Sequence, residues 1–217
     1  MTRSALGLEF MLLFVALPVG YRLSPVQIPA LPLLWVVAAY AGWQLLRDPR
    51  FNRGLLWNFG PLPGRIGAIL GIFALTALAI WMGVRGFAPD LEWSLVRQHP
   101  GFWVVVMVAY PVQSVYPQEP LYRAFFFERY AVLFPGKWAM IVASAVAFAF
   151  LHIIFHNWLA VALTFGGGLL FAARYAETGS LAASSFEHAF YGCWLFTVGL
   201  GQYFYRGTIE TVGSAMR

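Results

Sequence analysis

Seven apolar runs follow one another along this chain, each approaching the roughly 20 residues that a helix needs to cross the hydrocarbon core of a bilayer. They cover residues 5–21, 28–46, 66–84, 102–115, 138–155, 158–175 and 181–205, with Pro, Gly and charged residues between them. Composition points the same way. Hydrophobic residues make up 60% of the chain and charged residues 11%, against roughly 45–50% and about 25% in soluble domains. Water cannot be the solvent for most of such a surface. The implied fold class is all-α: a polytopic membrane helix bundle of about seven transmembrane helices, with residues 1–217 forming a single integral membrane domain.

The fourth run is short for a span, so its helix is expected to continue through Pro117 and Pro120 into Phe125, Phe126 and Phe127. Proline there should kink the helix or open it toward a cavity, which membranes tolerate only where other groups satisfy the freed backbone. At the N-terminus Glu9 interrupts the first run, and Arg22 stands where a small-residue cleavage site would be needed. The segment reads as a retained helix. Gly166, Gly167 and Gly168 in the sixth run would let helices approach closely.

A net charge of +5 and a pI near 9.6 do not mark a nucleic-acid binder, because the basic residues are scattered singly or sit in loops between apolar runs. That arrangement suits loops facing anionic headgroups. If all seven runs span, one side holds Arg3, Arg47, Arg50, Arg53, Arg65, Arg129, Lys137 and Arg174. The other holds Arg22, Arg85, Arg97, Arg206 and Arg217. The excess favours a cytoplasmic N-terminus. Cys193 is the single cysteine, so no internal disulfide forms.

Ionisable groups at bilayer depth cost on the order of 2.5–3.5 kcal/mol each on insertion scales, and they usually face the bundle interior for a reason. Four gather in the C-terminal half: Glu119, Arg123, His152 and His188. Glu119 and Arg123 are spaced i, i+4, with the acid ahead of its basic partner. That spacing fits a structural ion pair as well as a site. His152 closes Phe148-Ala149-Phe150-Leu151-His152, with His156 one turn on. The Glu of an H-E-x-x-H zinc motif is absent, since the sequence reads His152-Ile153-Ile154-Phe155-His156. His156, beside Asn157, is assigned to an interface or a cap. Glu187 either orients His188 or is a solvated charge at a helix entrance.

A carboxylate and two imidazoles on three helices can converge in a bundle core and polarise a water for attack on a peptide carbonyl. The same chemistry could run through a divalent metal such as zinc, with His152, His188 and Glu119 as possible ligands. No Ser, Cys or Asp constellation competes, because no Asp follows Asp90 and Cys193 has no basic partner within one turn.

At these residues the chain resembles the CAAX protease and bacteriocin-processing family, intramembrane proteases that include the Ras-converting CAAX endopeptidase. The family's E-E-x-x-x-R looks like Gln118 to Arg123, its F-x-x-x-H matches Phe148 to His152, and its H-x-x-x-N looks like His188 to Gly192. The resemblance covers about residues 116–201. It implies an intramembrane endopeptidase, in the plasma membrane of a bacterium, that hydrolyses a peptide bond of a membrane-associated or lipidated protein. Its partners would be that protein or peptide substrate and the lipid bilayer, with no nucleic acid. Carried over residue by residue, His152 is general base or metal ligand, His188 oxyanion stabiliser or ligand, and Arg123 the partner that fixes Glu119.

Two departures bear on activity. The family's first Glu is Gln118, and an amide cannot act as a carboxylate base. Glu119 would then take that role, swung toward His152 by the distortion at Pro120, or the protein is inactive. The expected Asn is Gly192, which leaves Tyr191 or Gln113 to supply a donor. Two rival functions follow: a catalytically inactive membrane scaffold or immunity-type protein on the same fold, and a proton or ion carrier using Glu119 and the histidines as a relay.

Overall fold

The computed structural model describes residues 2–26 and 29–204, and among them every regular element is helical. Helix α1 is Arg3–Leu23, α2 is Ala30–Arg47 and α3 is Ile66–Phe87. The short α4 is Ser94–Gln98. Helix α5 runs unbroken over 100–129. Helix α6 is Lys137–Leu151, prolonged by a tight turn over His152–Phe155. Helices α7, Trp158–Thr178, and α8, Leu181–Val198, complete the bundle. Asn157 and Ser180 begin the last two by accepting the amides of Ala160 and Ala183 on their side chains, the usual way to satisfy orphan donors at a helix start.

Each of the seven apolar runs is thus helical over most of its described length. Ile28, Tyr205, Arg206 and Arg217, which entered the run boundaries and the charge count, lie outside the described residues. Among the described residues four helices are long and apolar enough to cross a membrane: Arg3–Leu23, Ile66–Phe87, Lys137–Phe155 and Trp158–Thr178. Large apolar side chains such as Leu75, Val108 and Val36 point outward, as a lipid-facing surface requires, while Trp57, Trp138 and Trp158 are exposed at helix ends. The seventh run does not stay helical to its end. It stops at Val198, where Gly199 takes the left-handed conformation at φ 105°.

Successive helices alternate in direction, and their end contacts register them. Near one end Arg129 donates two hydrogen bonds to Glu9, at 2.9 and 2.7 Å, and Arg65 pairs with Glu177 at 2.8 Å. Near the other, Arg22 donates to the Ile153 carbonyl at 2.6 Å, and Asn157 donates to the Tyr203 carbonyl at 2.8 Å. Arg174, counted among the charges of one membrane side, is buried and paired with Glu187 at 3.0 Å.

Helix α5 carries the prolines at 111, 117 and 120 without breaking. Its turns widen to π-helix over Pro111–Val115 and again over Pro120–Phe125. Proline has no N–H to donate, and its ring collides with the carbonyl four residues back. A wider turn relieves that collision while keeping the axis continuous. The expected extension past Val115 is therefore real, and it arrives as local unwinding with no sharp break.

Of the three consecutive glycines in α7, Gly168 alone meets a neighbouring helix: a Cβ there would lie 3.1 Å from the Ala145 Cα of α6. Gly166 has open space. Gly168→Val should therefore lower stability by about 1–3 kcal/mol through overpacking, while Gly166→Ala should be neutral or stabilising by up to about 1 kcal/mol. Thermal unfolding in detergent distinguishes the two, and equal shifts would contradict this packing.

Candidate active site

Helix α5 delivers Gln118 and Glu119 just before its second wide turn and Arg123 within it, all buried. Helix α8 faces them with Ser184, His188 and Gly192, three residues spaced one turn apart on a single face. Glu119 has no exposed surface. Its Oε1 accepts a hydrogen bond from His188 Nδ1 at 2.9 Å, and its Oε2 accepts one from the Ser184 hydroxyl. Arg123 Nε stands 3.5 Å from Oε2, a Coulombic pairing without a formed hydrogen bond.

Arg123 is held from the other side by Ser144 of α6. Its Nη1 donates to Ser144 Oγ at 2.7 Å, and that hydroxyl donates onward to the Tyr122 carbonyl at 2.7 Å. The guanidinium also lies over the rings of Phe148 and Phe171, 5.3 and 5.9 Å from their centroids, a cation–π arrangement favoured where water is scarce. The same two rings hold His188, which stacks on Phe171 at 4.6 Å and meets Phe148 edge-on at 5.3 Å.

His152 reaches the site through the way α6 ends. Its helix tightens at the last turn, so the His152 amide bonds the Ala149 carbonyl and does not take that of Phe148. The imidazole satisfies the freed oxygen: Nδ1 donates to the Phe148 carbonyl at 2.8 Å. A carbonyl only accepts, so Nδ1 carries the hydrogen and Nε2 is left as an acceptor.

A cavity of about 1420 Å³ opens beside these groups, its wall mostly apolar, with Gln118, His152, His188, Tyr110 and Gly192 on it. Glu119 is not on that wall. The expected swing of Glu119 toward His152 at Pro120 does not occur, because its carboxylate is engaged by His188, Ser184 and Arg123. Gln118 faces the cavity in its place. The Gln118 Nε2 donates to Ser114 Oγ at 2.7 Å, and its Oε1 is buried without a partner.

His152, His188 and Glu119 do not form a metal-ligand set. Among the described residues no three His, Cys, Asp or Glu side chains stand close enough to hold an ion, and both oxygens of Glu119 are already engaged. Glu187 neither orients His188 nor meets solvent: it is buried against Arg174. His156 is exposed, in left-handed backbone at φ 60°, just past the turn that carries His152. Tyr191 and Gln113 are the two donors suggested in place of an Asn at position 192, and both line the cavity. The Tyr191 hydroxyl is paired with Thr76 at 2.8 Å, and Gln113 accepts from the Trp35 indole at 3.2 Å.

Sequence reasoning missed Tyr110, whose hydroxyl lies 3.2 Å from His188 Nε2, and the two serines at positions 144 and 184. Ser184 could have been found as the residue one turn before His188. Nothing near Tyr110 in the sequence advertises it.

A family model described as type II CAAX prenyl endopeptidase Rce1-like matches residues 99–194. The match begins ahead of the 116–201 span read from motifs, and so takes in Tyr110. No curated protein and no solved structure matches the chain.

The pairing of Glu119 with Arg123 makes a stability prediction. Arg123→Ala strands a buried carboxylate and should cost about 3–5 kcal/mol, read as lower yield and melting temperature in detergent. The charge-neutral double variant Glu119→Gln/Arg123→Met should regain most of that loss. Normal stability of Arg123→Ala would show that the pair contributes little to the fold.

Proposed function

We propose, from the match of residues 99–194 to the Rce1-like model of type II CAAX prenyl endopeptidases, that this membrane protein is an intramembrane endopeptidase acting on the lipidated or membrane-proximal end of a protein substrate. One observation carries the mechanistic reading. Gln118, whose Oε1 is buried without a partner, is on the same cavity wall as His152, whose Nε2 is an acceptor by virtue of the Nδ1 bond to Phe148.

A water in that cavity can donate one hydrogen to Gln118 Oε1, which orients it. It can give the other proton to His152 Nε2 as it attacks the scissile carbonyl. The carbonyl oxygen, gaining negative charge, is stabilised from the His188 side, where Glu119 fixes the ring through Nδ1. His152 then returns its proton to the departing amine, so the water ends up divided between the two products. Glu119 in this scheme never touches water: it sets the orientation of His188 and balances charge. The amide at position 118 is compatible with activity because its task is to orient and not to abstract. The donor geometry does not suit a bound metal, so no step is assigned to one.

Gln118 also favours a second reading, an inactive scaffold with the same architecture, if a carboxylate at that position is indispensable. The two readings separate in liposomes with a quenched-fluorescent peptide bearing a farnesylated cysteine followed by three residues. Under the endopeptidase reading the wild type cleaves, a strong chelator leaves the rate unchanged, and His152→Ala lowers kcat/KM by about 10²–10⁴-fold. An inert wild type that gains cleavage on Gln118→Glu would establish the scaffold.

A further inference from the structure

Tyr110 stands 78 residues before His188 on a different helix, yet the two side chains touch. What admits it is an absence on α8. A Cβ built on Gly192 would lie 2.0 Å from Tyr110 Cε1, 2.2 Å from Cζ and 2.3 Å from Oη. No side chain at position 192 is compatible with the ring where it stands. The tyrosine therefore fills the volume that a residue one turn after His188 would otherwise occupy, and it puts its hydroxyl on the same imidazole.

Packing alone would explain the ring, which rests against Phe196 at 5.5 Å and meets His188 at 6.2 Å. A phenylalanine would pack as well. The hydroxyl needs its own reason, since a half-buried phenol seeks a partner, and beside Ser114 it meets the second nitrogen of an imidazole whose first nitrogen is already committed to Glu119.

We propose that Tyr110, admitted by the bare backbone of Gly192, is the positioning residue of His188 and the donor that meets the substrate's carbonyl oxygen. This rests on the endopeptidase reading above. Glu119 accepts from Nδ1–H, and when Nε2 also carries a hydrogen it donates to Tyr110 Oη, 3.2 Å away. The phenolic hydrogen is then free to turn into the cavity, whose wall Tyr110 shares. A chain of donors then runs from His188 through Tyr110 to the developing oxyanion, with the Glu119 carboxylate behind it orienting the ring. No covalent bond in this chain breaks. The proton taken from water travels through His152 to the leaving amine.

The farnesylated peptide assay tests the proposal alongside the nitrogen-15 resonance of the His188 side chain in labelled protein in lipid nanodiscs. Tyr110→Phe keeps the ring and should lower kcat by about 10²–10³-fold, leave KM unchanged and shift the His188 resonance. Tyr110→Ala/Gly192→Asn, which returns a polar side chain to the vacated space, should recover part of the kcat that Tyr110→Ala loses. Full kcat in Tyr110→Phe would overturn the proposal. Absence of cleavage dependent on His152 in the wild type would instead overturn the endopeptidase reading and with it the donor role. The resonance then decides the positioning role alone, and an unchanged His188 signal in Tyr110→Phe would overturn that too.

Discussion

A carboxylate with no exposed surface sits where α5, α6, α7 and α8 converge, and the arrangement around it follows from the need to compensate its charge. Removing such a group from water costs several kcal/mol even after relaxation, and only close partners with good geometry return it. Glu119 has three: His188 and Ser184 one turn apart on α8, and Arg123 on its own helix. Arg123 in turn must be compensated, and Ser144 of α6 together with two aromatic faces does so. Each partner is fixed by a further contact. The same bonds that make the charge tolerable hold an imidazole still at the edge of a cavity.

The division between Gln118 and Glu119 follows from helix geometry. Neighbouring residues on a helix point about 100° apart, so one side chain of the pair turns to α8 and the other to the cavity. The inward neighbour is the charged one, enclosed by donors. The cavity-facing neighbour is neutral, which suits a wall built mainly of apolar side chains, where an uncompensated charge would be expensive.

Much of this was legible from residue types alone. The apolar runs fixed the helical class because a polypeptide in lipid must satisfy its own backbone, and each run is helical over most of its described length. The site's members stood out because Glu, Arg and His are costly at depth. Their partners did not stand out. Ser144 and Ser184 are unremarkable residues in helices, and Tyr110 is one of 10 tyrosines in an aromatic-rich chain. Which carboxylate oxygen meets which donor depends on helix rotation, and in α5 that rotation is altered by wide turns that periodicity does not reveal. Arg174 escaped for a related reason: it was counted as a charge of one membrane side, whereas it is buried and paired with Glu187 of the next helix.

The wide turns of α5 carry one more implication, for how this chain can change in length. A π-helical turn holds more residues than an α-helical one over a similar stretch of axis, so Pro120–Phe125 behaves as an accommodated insertion. Deleting one residue there would let the turn revert to ordinary α-helix with the flanking turns still in phase, but would change which residues the turn itself presents to each neighbour. Arg123 could no longer reach Ser144 while Glu119 reached His188. Spacing between these residues is therefore as much a part of the site as their identities, and a relative that keeps all the side chains but loses one position in this turn would have lost the arrangement.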